Sequence, residues 1–172
     1  MPFFLLHATV LLVFVVGWSP IALLVAAALF FIRMFAITAF YHRYFSHRAY
    51  KTSRWFQFVM ALLGGMAVQR GALWWAAHHR HHHKHSDEEE DHHSPIVYGF
   101  LQSHMLWFMT RNNYATQYKY IPDLAKFPEL RFLDRYDLAA PVLLAFLMFG
   151  LGVGLNAFFP GLGTSGWQML VW

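Results

Sequence analysis

The chain has 172 residues, of which 58% are hydrophobic, 19% aromatic and only 13% charged, with a mean hydropathy of +0.35. The charged share is about half that of a soluble domain, which excludes an ordinary water-soluble globule and a disordered chain, and one domain is the natural count at this length. Cysteine is absent and histidine occurs 12 times, so disulfides, thiolate-ligated zinc, iron–sulfur clusters and cysteine catalysis are all removed from consideration.

The 13 basic and 9 acidic side chains all lie between Arg33 and Asp137, and neither residues 1–32 nor residues 138–172 carry any. Two apolar ends around a polar middle place the middle on one side of a bilayer. Its excess of Lys and Arg predicts the cytoplasmic side. The net charge of +4 does not point to nucleic acid, because the basic residues are interleaved with hydrophobic runs and form no stripe.

Residues 1–32 would extend about 48 Å as one helix, too long for the roughly 30 Å hydrocarbon core. Gly17-Trp18-Ser19-Pro20 supplies a break: Gly permits unusual dihedrals, Ser caps, and Pro starts the next helix. The prediction is a membrane hairpin with a first arm over 3–16 and a second arm from Pro20. No basic segment precedes the first arm and no cleavage site is evident, which argues against a signal peptide. The second arm meets Arg33 after 13 residues, and Arg33 either snorkels to the interface or is buried and paired. The helical pattern then continues through Tyr41 and carries His42 and His47 out of the membrane.

Residues 55–77 are apolar but interrupted at Gly64-Gly65 and Gln69-Arg70-Gly71. Basic clusters at both ends favour an interfacial or re-entrant helix pair over a third span. Gly64-Gly65 reads as close helix packing. Residues 96–137 mix Trp, Tyr, Lys and Arg, as suits an amphipathic stretch at headgroup level. Residues 138–159 make a good span, residues 161–166 a loop, and Trp167–Trp172 the start of another apolar segment.

Two histidine constellations stand out. The first is His42-Arg43-Tyr44-Phe45-Ser46-His47, and the second is His79-Arg80-His81-His82-His83. Positions i, i+3 and i+4 share a helix face, so His79, His82 and His83 can converge on one metal region. The i, i+5 pair His42 and His47 is less aligned, and suits two neighbouring metals or a fraying helix end. Imidazole suits Zn, Fe, Cu and Ni. The acidic run Asp87-Glu88-Glu89-Glu90-Asp91 is a solvated face or an outer shell behind the histidines. The blander reading is a loose metal-binding tract, since residues 78–85 hold six histidines in eight positions. His7 reads as a packed, locally bonded residue, His85 and His92 as incidental, and His104 as either.

The motif HRYFSHR directly after a membrane helix resembles the first histidine box of membrane fatty acid desaturases, specifically the acyl-CoA Δ9, stearoyl-CoA desaturase-like group. HHRHHHKHSDEEEDHHSP resembles their second box, and Gly99-Phe100-Leu101-Gln102-Ser103-His104-Met105-Leu106-Trp107 resembles the stretch that follows it. The resemblance implies an all-α integral membrane fold, a four-helix transmembrane bundle under a cytosolic histidine-rich cap. By the same resemblance the fourth helix is expected to be truncated here, and residues 1–172 to form a single desaturase domain incomplete at its C-terminus. It also implies O2-dependent insertion of a cis double bond into a saturated acyl chain by two iron ions. The implied substrate is a fatty acyl-CoA or another acyl carrier. The implied electron source is NAD(P)H, through a reductase and a carrier of the ferredoxin or cytochrome b5-like kind. Five ligands carry over by motif position: His42, His47, His79, His82 and His83. The histidine matching His93 frames the cap and is no ligand. The family's third box, H-x2-H-H, is not present, so the five histidines are expected to form an open half-site that does not hold two irons by itself. The family's acyl-CoA members carry Arg-Asp before the second box; Ala77-His78 stands here, which leaves CoA, acyl carrier protein and lipid open as head groups. The short lead before the first arm looks bacterial, and implies an inner-membrane protein with residues 33–137 on the cytoplasmic side.

Two other functions compete. One is hydroxylation of a fatty acid, alkane or sterol on the same scaffold, since both chemistries begin with C–H abstraction. The other is a membrane metal carrier with a His-rich loop, which predicts polar residues lining an intramembrane path.

Overall fold

The computed structural model describes residues 2–172. In chain order its α-helices are α1 (Pro2–Ala8), α2 (Val13–Val16), α3 (Pro20–Phe35), α4 (Arg54–Gly65), α5 (Ala72–Lys84), α6 (Pro95–Leu101), α7 (Arg111–Tyr114), α8 (Pro122–Ala125), α9 (Pro128–Arg135), α10 (Ala139–Phe158) and α11 (Gly166–Val171). A π-helix, Ala36–Ser46, continues directly from α3. No strand occurs among the described residues. The chain divides into two compact units: residues up to Met34 with Pro141–Trp172, and Phe35–Ala140.

The first unit holds the apolar ends. The hairpin break falls where expected. Gly17 has φ +68, a dihedral that favours glycine, and the Ser19 Oγ accepts from the Ala22 N–H at 3.1 Å to cap α3 behind Pro20. The turn is also tied from far along the chain. Ser19 donates to Gln168 Oε1 at 2.7 Å, Gln168 Nε2 donates to the Val16 carbonyl at 3.3 Å, and Trp172 Nε1 donates to the Gly17 carbonyl at 2.8 Å. The six-residue α11 thus docks on the hairpin turn. Arg33 is half-buried and donates from Nε to the Leu29 carbonyl of its own helix at 3.2 Å, rather than meeting a carboxylate. His7 bonds the Phe3 carbonyl at 2.8 Å and packs its ring on that of Phe3, with centroids 4.2 Å apart, while remaining exposed on its other side.

Two helices are long and apolar enough to cross a membrane: Pro20–Ser46 and Ala139–Phe158. The first arm is a shorter apolar helix, Phe3–Val16, and α11 has six residues. The expected bundle of four spans therefore reduces to two span-length helices among the described residues.

The second unit is built around the buried side chains of Tyr41, Phe45, Met60, Leu73, Ile121 and Leu130. The π-helix packs against α4 and α5, and α9 closes the same core. Residues 54–84 form a helix pair, of 12 and 13 residues, each too short to cross a bilayer. Gly64 explains how closely α4 approaches: a Cβ there would fall inside the Tyr41 ring. The Tyr41 hydroxyl donates to the Ala61 carbonyl at 2.9 Å, so burial of this phenol leaves no unpaired hydroxyl. Ser53 caps α4 through the Phe56 N–H at 3.2 Å. Gly71 precedes α5 and has no side chain to do the same. Asp134 of α9 reaches across instead, and accepts from the Trp74 N–H at 2.9 Å. Helix α5, which carries the second box, is thereby fixed at its start by a residue 60 positions away.

Candidate metal centre

Four imidazoles meet above this core. The Nε2 atoms of His42 and His47 lie 3.1 Å apart, those of His47 and His79 3.2 Å, and those of His79 and His83 3.1 Å. One ring nitrogen from each of the four lies within 4.8 Å of all the others. A metal–nitrogen bond of about 2.0–2.1 Å puts neighbouring nitrogens of one ion about 3 Å apart, from roughly 2.9 Å at right angles to 3.3 Å in a tetrahedron. The group fits that requirement in spacing and in donor type.

Each donor is positioned by local backbone geometry. His79 and His83 are i and i+4 on α5, on one face. His42 and His47 are brought together by the π-helix, whose i→i+5 bonding superposes residues five apart; the His47 N–H donates to the His42 carbonyl at 3.1 Å. Trp75, one turn before His79, stacks on its ring with centroids 4.6 Å apart.

The electrostatics favour the neutral form of two of these rings, His79 and His47. Burial, then the neighbouring His83, His42, His47 and His82, push His79 down to about 3. Burial, then His42, His83 and the Arg80 guanidinium, also lower His47. A neutral imidazole is the metal-binding form, so His79 and His47 are poised to accept a cation and not a proton.

His82 stands apart from the four. Its ring centroid is 6.3 Å from that of His79, and its Nδ1 donates to the Asp91 Oδ2 at 2.9 Å. Burial pushes the Asp91 carboxyl up, but bonds from His82 and from the N–H groups of Asp87 and His93 outweigh it and hold it below the usual carboxylate range. An ionised carboxylate only accepts, so the proton of a neutral His82 ring sits on Nδ1 and the lone pair on Nε2. That is how a metal-ligating histidine is oriented from behind. The acidic run thus supplies one outer partner, Asp91, while Glu88, Glu89 and Glu90 face solvent. His85, Glu88 and Glu90 form a second, largely exposed gathering, in which His85 Nδ1 donates to Glu88 at 3.0 Å. His93 lies between the rings of His82 and Trp107, with centroids 5.3 and 4.9 Å away. His104 stacks on Phe100.

Arg80 has a role that spacing alone does not show. It occupies an intervening position of the second box, yet its side chain is 14% exposed. Its guanidinium forks onto Asp123 and reaches the carbonyls of Phe45, Ser46 and Tyr120. An arginine one residue after a candidate ligand was the available signal.

A family model described as fatty acid desaturase matches residues 5–172. The sn-2 palmitoyl-lipid 9-desaturase of Nostoc sp. (strain 36) is 36% identical over 140 residues, covering 79% of this chain and 49% of that protein. The sn-1 stearoyl-lipid 9-desaturase of Anabaena variabilis is 32% identical over 138 residues, 79% of this chain and 45% of that protein. The chloroplastic palmitoyl-monogalactosyldiacylglycerol delta-7 desaturase of Arabidopsis thaliana is 32% identical over 122 residues, 69% of this chain and 33% of that protein. The chain thus spans about half or less of the length of these curated relatives.

Proposed function

Because this chain belongs to the fatty acid desaturase family, we propose that it carries the first two histidine boxes of an O2-dependent desaturase acting at carbon 9 of a palmitoyl or stearoyl chain. The similar proteins named as 9-desaturases support the position. Their names also shift the choice of acyl carrier. The boxes resemble those of the acyl-CoA group, but the relatives are named for lipid-bound acyl chains, and the Arg-Asp pair of the acyl-CoA members is Ala77-His78 here. We therefore place the acyl chain on a membrane lipid, with acyl-CoA as the competing carrier. The enzyme works in the membrane, with the apolar start of Pro20–Ser46 and with Ala139–Phe158 as spans, and with the histidine-bearing residues that follow Arg33, up to Asp137, on the cytoplasmic side.

The observation that carries this reading is the convergence of His42, His47, His79 and His83 from two distant boxes. These four would hold metal, and His82, its tautomer set by Asp91, would offer its Nε2 as a further donor. Two irons, when bound, supply activation of O2, so that two hydrogens leave adjacent acyl carbons and O2 becomes two waters with two electrons and two protons from a ferredoxin-like or cytochrome b5-like donor. The chain's own residues keep His79 and His47 neutral by burial and mutual repulsion, wall His79 with Trp75, and fix the tautomer of His82 with Asp91.

The test is a chimera in which this chain replaces the matching part of the Nostoc relative, expressed in a bacterial host that makes no 9-unsaturated lipids. Double-bond position is read by mass spectrometry, separately for lipid-bound chains and the acyl-CoA pool. A 9-monounsaturated chain arising first in lipids is expected, and none with His79→Ala. Hydroxylated products, or no product from a membrane-inserted chimera, would overturn the reading. Unsaturation arising first in the acyl-CoA pool would reassign the carrier.

A further inference from the structure

We propose that Arg80 is the positioning residue for His47: it fixes the end of the first-box helix so that the His47 ring completes the four-nitrogen group. Three of the four histidines are held by helices on both sides. His42 lies within the π-helix, and His79 and His83 lie within α5. His47 sits one residue past the π-helix, exposed, beside Arg48 at φ +52, where the chain turns away. Its N–H bond to the His42 carbonyl sets its place on its own helix, not the distance of that helix end from α5.

Arg80 sets that distance. It donates from Nη2 to the Phe45 carbonyl at 2.6 Å and from Nε to the Ser46 carbonyl at 3.1 Å. These are terminal carbonyls of a helix, which lack partners of their own. Nη1 donates to the Tyr120 carbonyl at 3.1 Å, and Nη1 and Nη2 meet Asp123 at 2.7 and 3.1 Å. A guanidinium has five N–H donors, and all five are engaged. The fork is planar, so its two carbonyl bonds cannot both survive a shift of the π-helix end relative to α5. The turn of α5 that supplies His79 and His83 therefore also grips the two residues before His47. Lysine keeps the charge but lacks the fork.

The inference rests on the metal-binding reading of the four histidines, and the experiment separates the two. The full chain in detergent, stripped of metal, is titrated with Co(II) and followed by visible absorption. If wild type binds no Co(II), or His79→Ala binds equally well, the metal reading itself fails. Given binding, Arg80→Lys is expected to weaken Co(II) about 10- to 100-fold, the usual effect of removing an outer partner of a ligand. In a His47→Ala background the same change is expected to cost less than about twofold, because coupled residues are non-additive. A general loss of structure would instead lower affinity in both backgrounds. Unchanged affinity in Arg80→Lys, or the same loss with and without His47, overturns the proposal. If Arg80→Lys loses its helical signal, Asp123→Asn, which frees one side of the fork, carries the same cycle. A loss that depends on His47 is then expected, and no loss or an equal loss in both backgrounds overturns it.

Discussion

His42 and His47 are five residues apart in sequence, and their Nε2 atoms are 3.1 Å apart in space. On an α-helix five residues turn through about 500°, which leaves the two side chains about 140° out of line. The π-helix narrows that offset, and the His47 N–H closes its last i→i+5 bond on the His42 carbonyl. The expectation that follows is sharp at the second box. Replacing His42, His47, His79 or His83 by Ala weakens Zn(II) or Co(II) by more than about 100-fold, beyond the 10- to 100-fold of an outer partner. His81→Ala leaves affinity unchanged, because His81 packs on His85 and Tyr120, outside the group. Equal losses across all five variants would mean that the histidines act as an unspecific tract.

Asp91→Asn separates orientation from charge at His82. The carboxylate accepts from His82 Nδ1 at 2.9 Å and from the His93 N–H at 3.1 Å. Oδ2 also accepts from the Asp87 N–H at 3.2 Å, so in the variant the amide oxygen turns to that side, keeps His82 and Asp87, and gives up only the His93 N–H. Nitrogen-15 NMR of labelled histidine should then show the His82 tautomer unchanged. In the chimera, turnover should still drop at least about 10-fold, as for other outer partners, because the negative charge behind the ring is lost. An unchanged ring with full turnover would show that the charge of Asp91 is not needed.

Gly64→Ala tests the close approach of α4 to Tyr41. The added Cβ collides with a ring whose hydroxyl is already fixed on Ala61. Overpacking of this kind costs about 1–3 kcal/mol, seen as a lowered unfolding midpoint in detergent. Gly154→Ala on α10, where a Cβ meets nothing within 4 Å, serves as the comparison and should lose no stability. A Gly64→Ala midpoint equal to wild type would mean that the Tyr41 ring moves aside freely.

What the sequence shows here depends on how local the cause is. The spans and the hairpin break are legible, because uninterrupted apolar runs and a Gly–Ser–Pro break act within a few residues. The i, i+4 pair His79 and His83 is legible for the same reason. The π-helix is not: its change of hydrogen-bond register leaves no propensity pattern, and it is supported from outside by Arg80 on α5. The placement of His82 likewise required its partner, since spacing puts it near His79 but only Asp91 shows where its ring is held. The stretch 167–172 reads as the start of a span from its hydropathy alone. Its docking on the hairpin turn depends on Ser19 and Gln168, 149 positions apart, a pairing without any local signature.

Asp123 provides a pH test of the joint that Arg80 makes. Burial pushes its carboxyl up, but the Arg80 fork and the Arg48 guanidinium, 2.9 Å away, outweigh burial and hold it below its ordinary value of 3.8. The folded protein therefore binds this proton less tightly than the unfolded chain does. Stability from the pairing is present above 3.8 and is lost as pH falls through the folded value. Asp123→Asn keeps an acceptor for Arg80 but has no charge to titrate. The difference in unfolding midpoint between wild type and Asp123→Asn should accordingly be constant from neutral pH down to about 5, where an ordinary carboxylate remains ionised, and shrink below 3.8. Thermal unfolding in detergent, followed by far-UV circular dichroism at a series of pH values, reads this directly. Since the comparison is between two chains that share every other titrating group, the remaining carboxylates and histidines cancel. A difference that grows with acidity would mean that Asp123 is stabilised in its protonated form and that burial, not Arg80, governs it.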